Sequence, residues 1–216
     1  MIPAFTIGTC RVGYGSCPLG NTMGPRLQTY VHSAPEILWW LDVLQKRISR
    51  PPKEFHHYWG RDIIPETFEY DLATPRVFII EISSLKTVWM ELSDGYRFPV
   101  QLTNLVRPHP EIQHCLPKQT ANSLLVSIDM LHQRIRYFSR LVLVSQELCA
   151  PPILARTYIR DTLAQYASSY HDVVHVDSTL IVEQYGREAC IRDSIHWTPF
   201  GLEKLNQAII NACDGK

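Results

Sequence analysis

The chain has 216 residues, 45% of them hydrophobic, enough to bury a substantial core and to set intrinsic disorder aside. Lys+Arg and Asp+Glu both number 21, so the formal charge is zero and there is no electrostatic basis for a nucleic-acid or anionic-membrane partner. No apolar run approaches the roughly 20 residues of a membrane-spanning helix, and the opening Met1-Ile2-Pro3-Ala4-Phe5 lacks the basic segment of an export signal, so a soluble cytoplasmic protein is expected.

The first predicted element is a short buried strand over residues 2–8, ending at Gly8. A long loop follows, from about Thr9 to Ser33, holding Gly13, Gly15, Gly20 and Gly24, and long loops inside compact domains are often functional. Ser33 is a predicted N-cap, with Pro35 and Glu36 in the first turn of a helix. That helix is marked by Ala34, Ile37, Leu38, Leu41, Leu44 and Ile48, and Pro51 and Pro52 stop it. Residues 77–82 (Val-Phe-Ile-Ile-Glu-Ile) read as a second strand. Leu124, Ile128, Leu131, Ile135 and Phe138 mark the next helix, and residues 141–145 the next strand. Leu154, Tyr158, Ile159, Leu163 and Tyr166 mark a further helix, followed by a strand over residues 173–176. The final helix has Thr198 as N-cap and Pro199 at its first position, with Leu202, Leu205 and Ile209 in register. Continuous apolar strands alternating with helices imply an α/β fold, a three-layer α/β/α sandwich with a mainly parallel sheet, in one domain spanning 1–216.

Sites in open parallel sheets gather beyond the carboxyl ends of the strands. Gly8-Thr9-Cys10 leaves the first strand, and Asp193-Ser194-Ile195-His196 precedes the last helix. An Asp and a His three residues apart can fix the imidazole tautomer, leaving its other nitrogen to face a nucleophile. The Cys10 thiol is the predicted nucleophile, since a thiol ionises with modest help from an imidazole. Arg11 beside it would lower its pKa or hold a substrate anion, and His32 with the helix-start amides would hold an anionic group.

These residues resemble the SGNH (GDSL-type) hydrolase superfamily, in which a Gly-Asp-Ser block presents a serine and a late Asp-x-x-His supplies the acid and base. The stretch Asp193-x-x-His196-Trp197-Thr198-Pro199-Phe200-Gly201 is the closest match. Cysteine in the first block is similar to GSCFA-motif proteins and capsule-biosynthesis acetyltransferases. The resemblance implies an SGNH/flavodoxin-like fold, with Asp193 orienting His196 and His196 relaying a proton for Cys10 through an acyl-thioester. It implies a small-molecule or saccharide acyl substrate and no cofactor, with acyl-coenzyme A as a donor in the alternative saccharide O-acetyltransferase. Thr9 stands in place of the family's aspartate, and the family's Gly-x-Asn-Asp block falls on Glu81-Ile82-Ser83-Ser84 without an asparagine. Ser83 and Gly60 are the candidate oxyanion-hole positions.

Other readings carry less. Residues 15–22 depart from a phosphate loop because Asn21 takes the lysine position. A Cys10–Cys17 redox couple, and metal binding at His109, His114 and Cys115 or at His56 and His57, match no standard spacing. A non-catalytic glycan- or protein-binding module of the same fold is the remaining alternative class.

Overall fold

The computed structural model describes residues 4–9, 31–55, 77–101, 112–116, 121–135, 138–148, 151, 153–193 and 196–215. Four strands form a parallel sheet: β1 (Ala4–Ile7), β2 (Val77–Ile82), β6 (Arg140–Ser145) and β7 (Val173–Asp177), in the order β1-β2-β6-β7. Their apolar runs arise because both faces are covered, and alternate residues serve opposite layers. Phe5, Ile7, Phe78, Ile80, Ile82, Leu141 and Leu143 pack with one set of helices. These are α1 (Ala34–Leu44), α2 (Ala121–Arg134) and α3 (Leu154–Ser168), which contribute Trp40, Leu41, Ile128, Leu131, Ile159 and Leu163. Ala4, Val77, Ile79, Val142 and Val144 face the other layer. That layer holds α4 (Ser178–Tyr185), α5 (Arg187–Cys190) and α6 (Pro199–Asp214), with Ile181, Cys190, Leu205 and Ile209 buried against the sheet. The expected layered α/β arrangement with helices on both faces of a parallel sheet is therefore present.

The helix starts follow their local chemistry. Ser33 caps α1 in a full capping box: its side chain accepts from the Glu36 amide while the Glu36 carboxylate accepts from the Ser33 amide. Thr198 caps α6, with Pro199 in the first turn. Helix α1 ends at Leu44, before the expected stop at Pro51: Gln45 caps it, and Lys46 turns out at φ 58°.

One feature differs from the expected layout. Between β2 and α2 lies a second, antiparallel sheet of β3 (Thr87–Leu92), β4 (Arg97–Gln101) and β5 (Ile112–Leu116), in the order β4-β3-β5. A mainly parallel architecture thus describes only the larger sheet. β3 and β4 form a hairpin through Ser93-Asp94-Gly95-Tyr96, where Gly95 takes φ 83° and the Asp94 carboxylate accepts from the Tyr96 amide. Val88, Met90, Leu92, Phe98 and Val100 turn inward to the core that contains α1, and the Thr87 hydroxyl donates to Ser33.

The inner end of β7 sets a pH dependence. His175 of β7 has its Nε2 3.0 Å from the Ser145 hydroxyl of the neighbouring β6, and burial holds its pKa below the ordinary 6.5. The folded state therefore favours neutral His175, a contribution present above pH 6.5 and lost as the pH falls below it toward the lower folded value. Between about pH 8 and about pH 5, the wild-type Tm is expected to fall more than that of His175→Gln; parallel curves in thermal melts would contradict this.

Candidate functional site

The last helix brings its leading loop to the carboxyl side of the sheet. Arg140, first residue of β6, donates to the carbonyls of Ala212 and Cys213 at 2.8 and 3.4 Å, which fixes the end of α6 beside the start of a strand. A helix of 16 residues rises about 24 Å, comparable to the length of the strands it covers, so α6 runs antiparallel to them and starts near their carboxyl ends.

The loop before α6 is tightly tied. Ile191 and Trp197 form an antiparallel bridge, the Arg192 amide donates to the His196 carbonyl at 2.8 Å, and the Thr198 amide donates to the Cys190 carbonyl at 2.8 Å. The Thr198 hydroxyl donates to the Ala189 carbonyl, and Trp197 is buried beneath. Asp193 and His196 are thereby brought together as expected. His196 Nδ1 lies 2.8 and 3.0 Å from the two Asp193 carboxylate oxygens, and the His196 amide also donates to Asp193 at 2.8 Å. With Nδ1–H directed at the carboxylate, Nε2 becomes the ring's acceptor. Both side chains are nearly half exposed, at 49% and 44%, so solvent reaches them.

Gly201 is part of this construction. A Cβ there would lie 2.8 Å from Cys190 Cα and from the Trp197 ring, inside van der Waals contact and against backbone that cannot rotate aside. Gly201→Ala is expected to displace the loop carrying His196 and to lower Tm. The ordinary gain of about 1 kcal/mol for Gly→Ala in a helix would instead appear as a raised Tm if the contact were harmless, a result read directly from thermal melts.

A second polar group forms where β1 and β2 exit. The His32 carbonyl accepts from the Ser83 and Ser84 amides at 2.9 and 3.0 Å, and the Val31 amide donates to Gly8. The His32 amide donates to the fully buried Glu36 carboxylate at 3.0 Å, while His32 Nδ1 lies 3.0 Å from Ser83 Oγ. The structure therefore joins two of the sequence-derived candidates, His32 and Ser83, that were read as separate contributors.

The Gly8-Thr9 turn is held by Glu81, which is 1% exposed and accepts from the Thr9 amide at 3.0 Å and from its hydroxyl. Sequence reasoning missed this pairing; its signal was the one acid within the apolar run Val77–Ile82. Cys10, Arg11 and Gly60, together with Cys17, His56, His57 and His109, lie outside the described residues.

No protein-family model matches the chain, and no curated protein matches it. Among solved structures it is similar to a GDSL-like lipase candidate from Parabacteroides merdae, at 10% identity and a TM-score of 0.47 over 99% of this chain and 95% of that one. It is also similar to a carbohydrate esterase family 3 protein from Talaromyces cellulolyticus, at 9% identity and a TM-score of 0.45 over 97% and 94% of the two chains. A third is an acetyl esterase mutant in which a serine is replaced by alanine, determined with an acetate ion, at 10% identity and a TM-score of 0.43 over all of both chains. The residue replaced in that esterase is a serine, in place of the cysteine expected for a Cys10-His196-Asp193 relay through an acyl-thioester, and that relay is not carried further. The two nucleophiles differ in acidity: a thiol ionises with little assistance, whereas a hydroxyl needs a general base to take its proton, and the Asp193–His196 pair is a base held in one tautomer.

Proposed function

We propose that this protein is an acyl-ester hydrolase of the esterase/lipase type, acting on small acyl esters through oxygen-centred chemistry. The observation that supports it is the Asp193–His196 pair: a carboxylate with both oxygens on Nδ1, at an accessible loop on the carboxyl side of a parallel sheet. His196 Nε2 accepts the proton of an attacking hydroxyl or water and returns it to the departing group, while Asp193 holds the ring and stabilises the imidazolium. An SGNH-like arrangement of the 1–216 chain as a single domain agrees with the Asp193-x-x-His196-x-Thr198-Pro199-x-Gly201 run and with the parallel order of β1, β2, β6 and β7.

The test is a panel of acetyl, propionyl, butyryl and octanoyl esters, including an O-acetylated sugar, with released acid followed by titration. Turnover of the short esters that falls with chain length is expected. Absence of acid release from every ester would overturn the reading.

A further inference from the structure

We infer that Ser83 Oγ is the nucleophilic oxygen of the site, with His32 as the base that takes its proton. The assignment rests on the acyl-ester hydrolase reading above and names the group that would carry the acyl chain. Three observations converge on it. Ser83 Oγ is 3.0 Å from His32 Nδ1, the separation expected of a nucleophile and its base. Ser83 is the first residue beyond β2, at the carboxyl end of a strand in the parallel sheet, where such sheets place their chemistry. Both residues are only partly buried, so an ester can approach them.

The pair is also pre-positioned. The His32 carbonyl receives the Ser83 and Ser84 amides, and its amide is fastened to Glu36, whose carboxylate also receives the Ser33 amide and hydroxyl. Ser33 in turn receives the Thr87 hydroxyl. Backbone on both sides of the Ser83–His32 contact is thus locked by a buried network, and little reorganisation is needed before reaction. A second serine–imidazole pair, Ser145 with His175, is a useful contrast: Ser145 is 1% exposed and its carbonyl is covered by the Ser178 hydroxyl, so no ester reaches it.

In the first step a bond forms between Ser83 Oγ and the acyl carbon while the hydroxyl proton passes to His32 Nδ1. The bond from that carbon to the alcohol oxygen breaks, and the alcohol leaves with the proton from His32. In the second step water adds to the acyl carbon, its proton passing to His196 Nε2. The bond from that carbon to Ser83 Oγ then breaks, His196 returns the proton to Ser83 Oγ to restore the hydroxyl, and the carboxylic acid departs. Removing the second base alone should therefore leave the acyl group on Ser83.

The experiment mixes the full-length protein with an acetyl ester, quenches it in acid, and measures intact mass and the modified peptide. His196→Gln is expected to accumulate one acetyl group per chain, located on Ser83. The adduct should be absent from Ser83→Ala in the His196→Gln background and strongly reduced in His32→Gln. Ester hydrolysis by the wild type with the acetyl group on another residue, or with Ser83→Ala turning over at the wild-type rate, overturns the Ser83 assignment while leaving the hydrolase reading intact. Neither hydrolysis nor adduct in any form overturns both. Because the labelled species keeps Ser83 and His32 unchanged, a folding defect in either variant does not decide the outcome.

Discussion

Replacement of His196 by Gln is expected to lower kcat for ester hydrolysis by about 10²–10⁴-fold, with little change in Tm. Gln keeps a polar side chain of similar reach but cannot accept and return a proton near neutral pH. Asp193→Asn should fall in the same range by a different route. The amide can donate to Nδ1, so the ring is free to adopt the tautomer that presents Nε2–H in place of the lone pair. The stability side of the comparison is set by exposure: the two side chains are 49% and 44% exposed, and ion pairs of that kind contribute no more than about 1 kcal/mol. Loss of turnover with an unchanged melting curve separates a chemical role from a structural one. A parallel loss of both would assign the pair to closing the loop before α6.

The largest stability effect should come from Phe78→Ala. Phe78 is fully buried, stacks on Phe5 with ring centroids 4.5 Å apart, and meets Phe138 at 5.3 Å. It therefore joins two adjacent strands of the parallel sheet to the segment entering β6. Removing a buried ring costs about 3–5 kcal/mol through lost transfer energy and the cavity left behind. Typical domains have about 5–15 kcal/mol in total, so the variant is expected to unfold at markedly lower denaturant concentration, or not to accumulate in folded form. Urea titration followed by circular dichroism measures this. A shift below about 1 kcal/mol would mean that the core collapses around the missing ring.

The parts of the fold that were readable from sequence are those in which local pattern and tertiary environment agree. Val77–Ile82 was bounded to the residue because an uninterrupted apolar run suits a strand covered on both sides. The start of α6 was readable because Thr198 and Pro199 make its capping chemistry local. The antiparallel sheet was not recovered. Glu91 and Arg97 lie opposite one another across its hairpin, and Pro99 lies inside β4, features that read as loop without knowledge of the partner strand. The turn signal Asp94-Gly95 was present and was the evidence available for the hairpin. Helix α4 was missed because it begins immediately after β7 at Ser178, with Asp177 serving as both the strand's last residue and the helix cap.

The site divides in the same way. Asp193 and His196 are three residues apart, so a local motif could place them together. His32 and Ser83 are separated by 51 positions, and Thr9 and Glu81 by 72. Only the adjacency of β1 and β2 makes neighbours of these, and no spacing in a single sequence encodes that adjacency. The cysteine at the β1 exit drew the nucleophile assignment because thiols are distinctive in sequence, whereas a serine hydroxyl gains its meaning from the imidazole beside it.

The most direct measurement is the steady-state rate of hydrolysis of a short-chain acyl ester by the wild-type protein and by His196→Gln prepared in parallel, each with its melting curve. Turnover by the wild type, at least about 100-fold slower in the variant at equal Tm, is the predicted result. Equal rates in the two proteins, or no turnover by the wild type, would contradict the assignment of the Asp193–His196 pair to ester hydrolysis.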